Sequence, residues 1–310
     1  MIQLIFKRLL TYIPVLLVVV IITFLMIHAA PGGPFDAERV ASPEIIEKLN
    51  EAYDLDKPIH VQIYNYLFNA IQGDFGPSFK YPGRSVSELI MSGLPTTIEL
   101  AMYSIIFALF LGVISGLVAS LNPGKILDIF PMSISLLGIC IPSIILGPIL
   151  VLIFGIWYEF LPVYGWGDNP GDKILPTITL GTAYAAIFAR LTRGGMLEIL
   201  GQDFIRTARA KGLPELRIIF VHALRGGILP VISFLGPAIA GLLAGSFVVE
   251  TIFQINGVGR FYVQAAFNRD YTMILGTSIL FTFMTLTFVL ISDIIASFLN
   301  PTLRDSGGLE

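Results

Sequence analysis

The chain has 310 residues, of which 55% are hydrophobic and 13% charged, about half the roughly 25% charge of an ordinary soluble domain. With a mean hydropathy of +0.81, it has too little polar material to clothe a soluble surface, and we read it as a bilayer protein. A net charge of −3 argues against a nucleic-acid partner, and the single cysteine, Cys140, excludes an internal disulfide.

Six stretches lack Asp, Glu, Lys and Arg: Leu9–Ala30, Leu100–Gly124, Ile129–Tyr158, Ile174–Ala189, Gly226–Val249 and Tyr271–Ser292. A hydrocarbon core of about 30 Å takes roughly 20 helical residues. The reading is therefore an all-α membrane protein in one domain, 1–310. Its six transmembrane helices fall at about 9–30, 98–122, 130–156, 174–191, 227–249 and 272–298. Pro131, Pro142 and Pro148 break the third. They line a pathway or kink for packing, since broken helices are tolerated where backbone faces a cavity or protein. The first stretch is too long for the apolar core of a cleaved signal peptide, and Pro31 and Pro34 make a poor cleavage site.

Orientation follows from basic residues near span ends. Lys7 and Arg8 precede the first span, so both termini are expected in the cytoplasm. The 192–225 loop then lies inside; from Arg190 to Arg225 there are seven basic residues against Glu198, Asp203 and Glu215. The long 31–95 loop lies outside. Within it, Ser42 and Pro43 read as a helix start. Ile59, Ile63, Tyr66, Leu67 and Ala70 form an apolar stripe that packs on the spans or lies on the membrane surface.

The inner loop carries the strongest signal. Asp203 suits an N-cap, Arg209 and Lys211 suit the last turn of a short helix, and Gly212 suits a left-handed C-terminal residue. Pro214 suits the first turn of a second helix from Glu215 to Leu224. Thr207, Ala208 and Ala210 are small enough for close approach by a partner, and Arg206, Arg209 and Lys211 supply rim charge. By residue type alone, the loop is equally readable as basic merely to enforce topology.

The run Arg206-Thr207-Ala208-Arg209-Ala210-Lys211-Gly212 resembles the glutamate–alanine–alanine–x₃–glycine loop of membrane subunits of bacterial ABC importers. Ala208 matches the second alanine and Gly212 the glycine, while Arg206 and Thr207 replace the glutamate and first alanine. The longer run from Phe204 to Pro214, followed by His222 to Arg225, resembles the version found in oligopeptide and dipeptide permeases. The resemblance spans nearly the whole chain: Lys7 to Pro14, Ala30 to Pro34, Gly73 to Phe79, Arg190 to Leu197, Glu250 to Arg260 and Asn268 to Tyr271. It implies a type I ABC importer transmembrane domain in the bacterial inner membrane. It further implies that Arg206–Gly212 docks on an ATP-binding subunit and that the chain pairs with a second homologous permease subunit. Two ATP-binding subunits, which hold ATP and Mg, and an extracytoplasmic peptide-binding protein complete the assembly. The chain itself would be non-catalytic and would bind no cofactor. The cargo implied is oligopeptide, with dipeptide, haem, nickel or antimicrobial peptide as alternatives.

Other candidates are weaker. Gly73, Asp74 and Gly76 serve the loop fold or dock the binding protein. Glu250 and Arg260 shape an external gate, or Glu250, like Glu99, anchors a span end. Asp293, the one acidic residue well inside a span-like run, has a transport role or is satisfied near the membrane surface by water or an arginine. No phosphate-cradling Gly-x₄-Gly-Lys-Ser/Thr or His-Glu-x₂-His motif occurs, and His28, His60 and His222 are too scattered for a metal. A self-sufficient channel or secondary transporter is the remaining rival; it should show paired intramembrane charges.

Overall fold

The computed structural model describes residues 2–30 and 56–299, which form helices joined by turns and loops, with one isolated antiparallel β-bridge between Pro77 and Ser85. The expected helix start at Ser42 and Pro43 lies outside these residues. The helices in chain order are α1 (Ile2–Ala29), α2 (Ile59–Ile71), α3 (Val86–Leu121), α4 (Ile126–Cys140) and α5 (Ser143–Leu150), which continues as a π-helical turn, Val151–Trp157. After them come α6 (Ile174–Leu200), α7 (Asp203–Ala210) and α8 (Glu215–Arg217), the last extended by a second π-helical stretch, Ile218–Ala223. The series ends with α9 (Leu224–Gly227), α10 (Leu229–Ile252), α11 (Val258–Asn268) and α12 (Tyr271–Leu299).

Among the described residues, five helices are long and apolar enough to cross a bilayer: α1 from Arg8, α3, α6, α10 and α12 to Ile295. The third expected span is two helices, α4 and α5, bent by 108° at their junction. Pro142 explains the break: it cannot donate its N–H, and it forces the preceding residue, Ile141 (ψ 111°), out of the helical region. Helix α3 extends beyond the expected span of 98–122 at its start. It starts at Val86, runs through Pro95, and is capped by a reciprocal box in which Glu88 N–H donates to Ser85 Oγ (3.1 Å) and Ser85 N–H to Glu88 Oε2 (3.4 Å). Charge counting misses this start because Glu88 and Glu99 interrupt the apolar run.

Helices in lipid gain little from apolar burial against one another, so close packing of small residues holds them. Gly112 and Gly116 of α3 sit directly on α6. A Cβ at Gly112 would lie 2.5 Å from the Ala185 carbonyl oxygen, and one at Gly116 would strike the Ala189 carbonyl. The main core gathers Leu100, Ile105 and Ala108 of α3, Leu180, Ala185 and Phe188 of α6, and Ala238, Leu242 and Val249 of α10. Outward faces of α1 (Leu10, Ile13, Val18) and of α4 and α5 (Phe130, Leu137, Ile144) remain exposed and apolar.

The bundle has two distinct ends. Arg8 Nη2 pairs with Asp293 Oδ2 at 2.9 Å, which joins the start of α1 to the last part of α12 and gives Asp293 an arginine partner. The α3–α4 turn and α7 belong to this end. At the opposite end, His28 of α1 lies beside Tyr271, and α2 approaches through a 3.3 Å contact between His28 Nε2 and Gln62 Oε1.

Candidate functional site

At the end holding the start of α1, α7 is a two-turn helix lying over a small core of its own. Ile205 and Ala208 point inward onto Met196, Ile218, Ile219 and Ala223, with Leu213 alongside. The expected N-cap is displaced by one residue: Gln202 occupies that position, and Asp203 is the first helical residue. There it suits the positive end of the helix dipole and accepts from Arg206 Nη1 at 3.3 Å.

The helix ends in a Schellman turn. Gly212 N–H donates to Arg209 O (2.9 Å) and Leu213 N–H to Ala208 O (3.3 Å). Gly212 has φ +75°, and no atom lies within 4 Å of where a Cβ would stand. Its requirement is purely one of backbone conformation, which glycine meets without strain. Pro214 serves as the N-cap of α8, and its carbonyl accepts from Arg217 N–H at 2.9 Å. Beyond α8 the chain winds as a π-helix, not the single α-helix expected from Glu215 to Leu224.

A forked ion pair closes the bend. Arg209 Nη2 and Nε donate to Glu215 Oε1 (2.6 Å) and Oε2 (3.3 Å). Hydrogen bonding from Arg209 holds the Glu215 carboxyl below the usual glutamate range and raises the Arg209 guanidinium in turn. Of the seven residues singled out from Arg206 to Gly212, six are exposed. Ala208 is buried in the chain's own core, so it supports the loop from beneath and is not a surface for close approach. The sequence reading missed four exposed apolar side chains on the same unit: Phe204, Leu216, Phe220 and Val221. A large apolar residue left outside a helix that buries its other face was the available signal.

At the same end, two spans are tied to each other. Arg193 of α6 grips Asp128 at the start of α4 through Nε–Oδ1 (2.5 Å) and Nη2–Oδ2 (2.7 Å), and Gly124 N–H donates to the same carboxylate at 2.9 Å. No local sequence pattern marks this pair, since its members are 65 residues apart.

At the opposite end, Gly73, Asp74 and Gly76 form a tight turn in which Asp74 Oδ1 accepts from Gly76 N–H at 2.9 Å. This segment is pinned to α12, with Thr272 Oγ1 donating to Pro77 O (2.7 Å) and Ser78 Oγ hydrogen-bonded to the buried Asp270. Arg260 donates to Gln254 O (3.1 Å) and Asn256 Oδ1 (2.9 Å). Glu250 is wholly enclosed and presents nothing to an approaching protein. Glu99 has a specific partner set: Lys173 Nζ (2.6 Å), which also lies over the Tyr103 and Trp166 rings, and Trp166 Nε1 (2.8 Å). Hydrogen bonding to Glu99 holds the Lys173 ammonium above the usual lysine range.

Residues 104–305 match the family described as binding-protein-dependent transport system inner membrane component, and residues 1–101 match its N-terminal counterpart. The chain belongs to this family. The oligopeptide transport system permease protein OppB of Haemophilus influenzae is 44% identical over 98% of this chain and 100% of its own length. OppB of Escherichia coli K12 is 42% identical over the same shares, and the dipeptide transport system permease protein DppB of Bacillus subtilis is 38% identical over 96% of each chain. Among solved structures, an inward-facing MetNI methionine ABC transporter aligns with TM-score 0.57 and 19% identity, covering 68% of this chain and 96% of that one. An amino acid ABC transporter aligns with TM-score 0.53 and 19% identity, covering 68% and 94%. Their fold, the type I transmembrane domain of ABC importers, is the fold of this member of the permease family, a multi-pass inner-membrane protein.

Proposed function

We propose that the chain is one of two homologous permease subunits that line the peptide pathway of an ATP-driven importer. Both termini and the 192–225 loop face the cytoplasm. Arg206, Thr207, Arg209, Ala210 and Lys211 contact an ATP-binding subunit, while Ala208 and Gly212 hold the loop in shape. Two such subunits hold ATP and Mg; this chain binds neither and performs no chemistry. An extracytoplasmic binding protein delivers peptide at the opposite mouth, near Gly73, Asp74, Gly76 and Arg260. Glu250 contributes to that mouth from within. A rigid α7 seated on its own core suits rigid-body transmission between inward- and outward-facing arrangements.

The observation that carries this reading is whole-length identity to oligopeptide permeases, 44% over 98% of the chain. The 38% identity to DppB keeps dipeptides as the second cargo. Co-expression with the neighbouring transport genes, purification and reconstitution in vesicles provide the test, read as ATP-dependent uptake of labelled peptide. Competition by peptides of increasing length separates the two cargoes. Peptide flux through the purified chain without an ATPase would refute the subunit reading.

A further inference from the structure

The first turn of α11 is held by a buried carboxylate from another helix. Glu250, in the last turn of α10, has 0% exposure. Its Oε1 accepts from Thr97 Oγ1 of α3 at 2.8 Å, and its Oε2 accepts from Arg260 N–H of α11 at 2.9 Å. Thr97 Oγ1 accepts in turn from Val258 N–H at 2.9 Å. Three helices thus meet at two oxygen-bearing side chains.

Both carboxyl oxygens face donors, an arrangement that a glutamine amide cannot reproduce. Turned either way, a glutamine would leave the Thr97 hydroxyl or the Arg260 N–H without an acceptor. The junction also has no slack. A Cβ at Gly257 would lie 2.6 Å from Thr97 Oγ1, one at Gly259 would lie 2.9 Å from Glu250 Oε2, and one at Gly93 would lie 2.9 Å from the Gly257 carbonyl carbon. For filling space alone, apolar side chains would serve at less cost than an enclosed polar group. What the hydrogen-bonded carboxyl adds is a single permitted geometry.

The location gives that geometry a use. Helix α10 has 24 residues and so spans about 36 Å at 1.5 Å per residue. It begins just past Gly227, which packs against Met196, a member of the small core under α7. It ends at the Glu250 junction. From there Tyr81 O–H donates to Gln264 of α11 at 3.0 Å, and Asp270 joins Ser78, so the 73–85 segment is tied to α11 and to the start of α12.

We propose that Glu250, Thr97 and the Val258–Arg260 turn form a positioning joint. Through it α3 and α11 follow α10, so that a displacement received at α7 reaches the far mouth as one rigid-body movement. This rests on the reading of α7 as the contact with an ATP-binding subunit.

The test uses the full complex in vesicles, with its ATP-binding subunits and peptide-binding protein, and the variants Thr97→Val, Thr97→Ser and Glu250→Gln. For Thr97→Val and Glu250→Gln we expect wild-type assembly and continuing ATP hydrolysis, with peptide taken up per ATP reduced about fivefold or more, the lower end of ordinary inter-site coupling. Thr97→Ser, which keeps the hydroxyl, should restore the wild-type ratio. Uptake and hydrolysis falling together in proportion to assembled complex would make the joint merely structural and overturn the proposal, as would an unchanged ratio in both variants. A wild-type complex lacking ATP-driven peptide uptake would overturn the functional reading itself, and is recognisable because every variant then matches wild type.

Discussion

Gly212 offers the cleanest test of the coupling loop, because its only constraint is the left-handed backbone at φ +75°. A residue with a Cβ pays about 1–2 kcal/mol in that region, and asparagine least among them. No neighbour lies within 4 Å of a Cβ there, so packing adds nothing to the penalty. A penalty of that size shifts the equilibrium of the bend by about 5–30-fold. Gly212→Val, β-branched, should sit at the upper end, Gly212→Ala below it, and Gly212→Asn near wild type. Each variant is assembled with its ATP-binding subunits, and the retained fraction of those subunits and the rate of ATP-driven peptide uptake are measured. The side chain at 212 is free of contacts within this chain, so the ranking Asn, Ala, Val should follow backbone strain and not size. Wild-type assembly and uptake by Gly212→Val would refute the assignment. Equal failure of all three would show that the partner, not the bend, requires the glycine.

Three further outcomes are expected. Reversing Arg209 to Glu should loosen the bend, and pairing it with Glu215→Arg should restore it, read as amide exchange across 208–218. Because the Glu215 carboxyl is depressed by Arg209, the pair's contribution is complete above the unfolded glutamate value of about 4.3. It is lost as pH falls through the lower folded value, so the protection of these amides, corrected for the intrinsic exchange rate at each pH, should be flat from neutral to mildly acid pH and fall only in strong acid. Replacing Gly116 with Leu forces α3 off α6 at the Ala189 carbonyl; overpacking of about 1–3 kcal/mol should lower the unfolding midpoint of the solubilised protein, while Leu at the open Gly194 should not. Asp128→Asn keeps the shape but weakens the fork to Arg193, and should lower the midpoint further than Arg193→Lys, which retains the charge.

Composition and charge placement alone determined that this is a multi-pass helical membrane protein with a structured basic loop, because apolar length and basic flanks act locally along the chain. Gly212 was legible for the same reason: a glycine after a basic last turn and before a proline is a local helix stop. Other features were decided only by the fold. The break at Pro142 was legible in the sequence, but its 108° angle was not, and Ala208 turned inward once α7 met Ile218 and Ile219. Thr97 carried no signal at all, and Glu250 only that of a charge closing an apolar run. Their pairing, like that of Asp128 with Arg193, joins residues 153 and 65 positions apart. A donor and an acceptor so distant become neighbours only when whole helices dock, and no local pattern of residues encodes that docking.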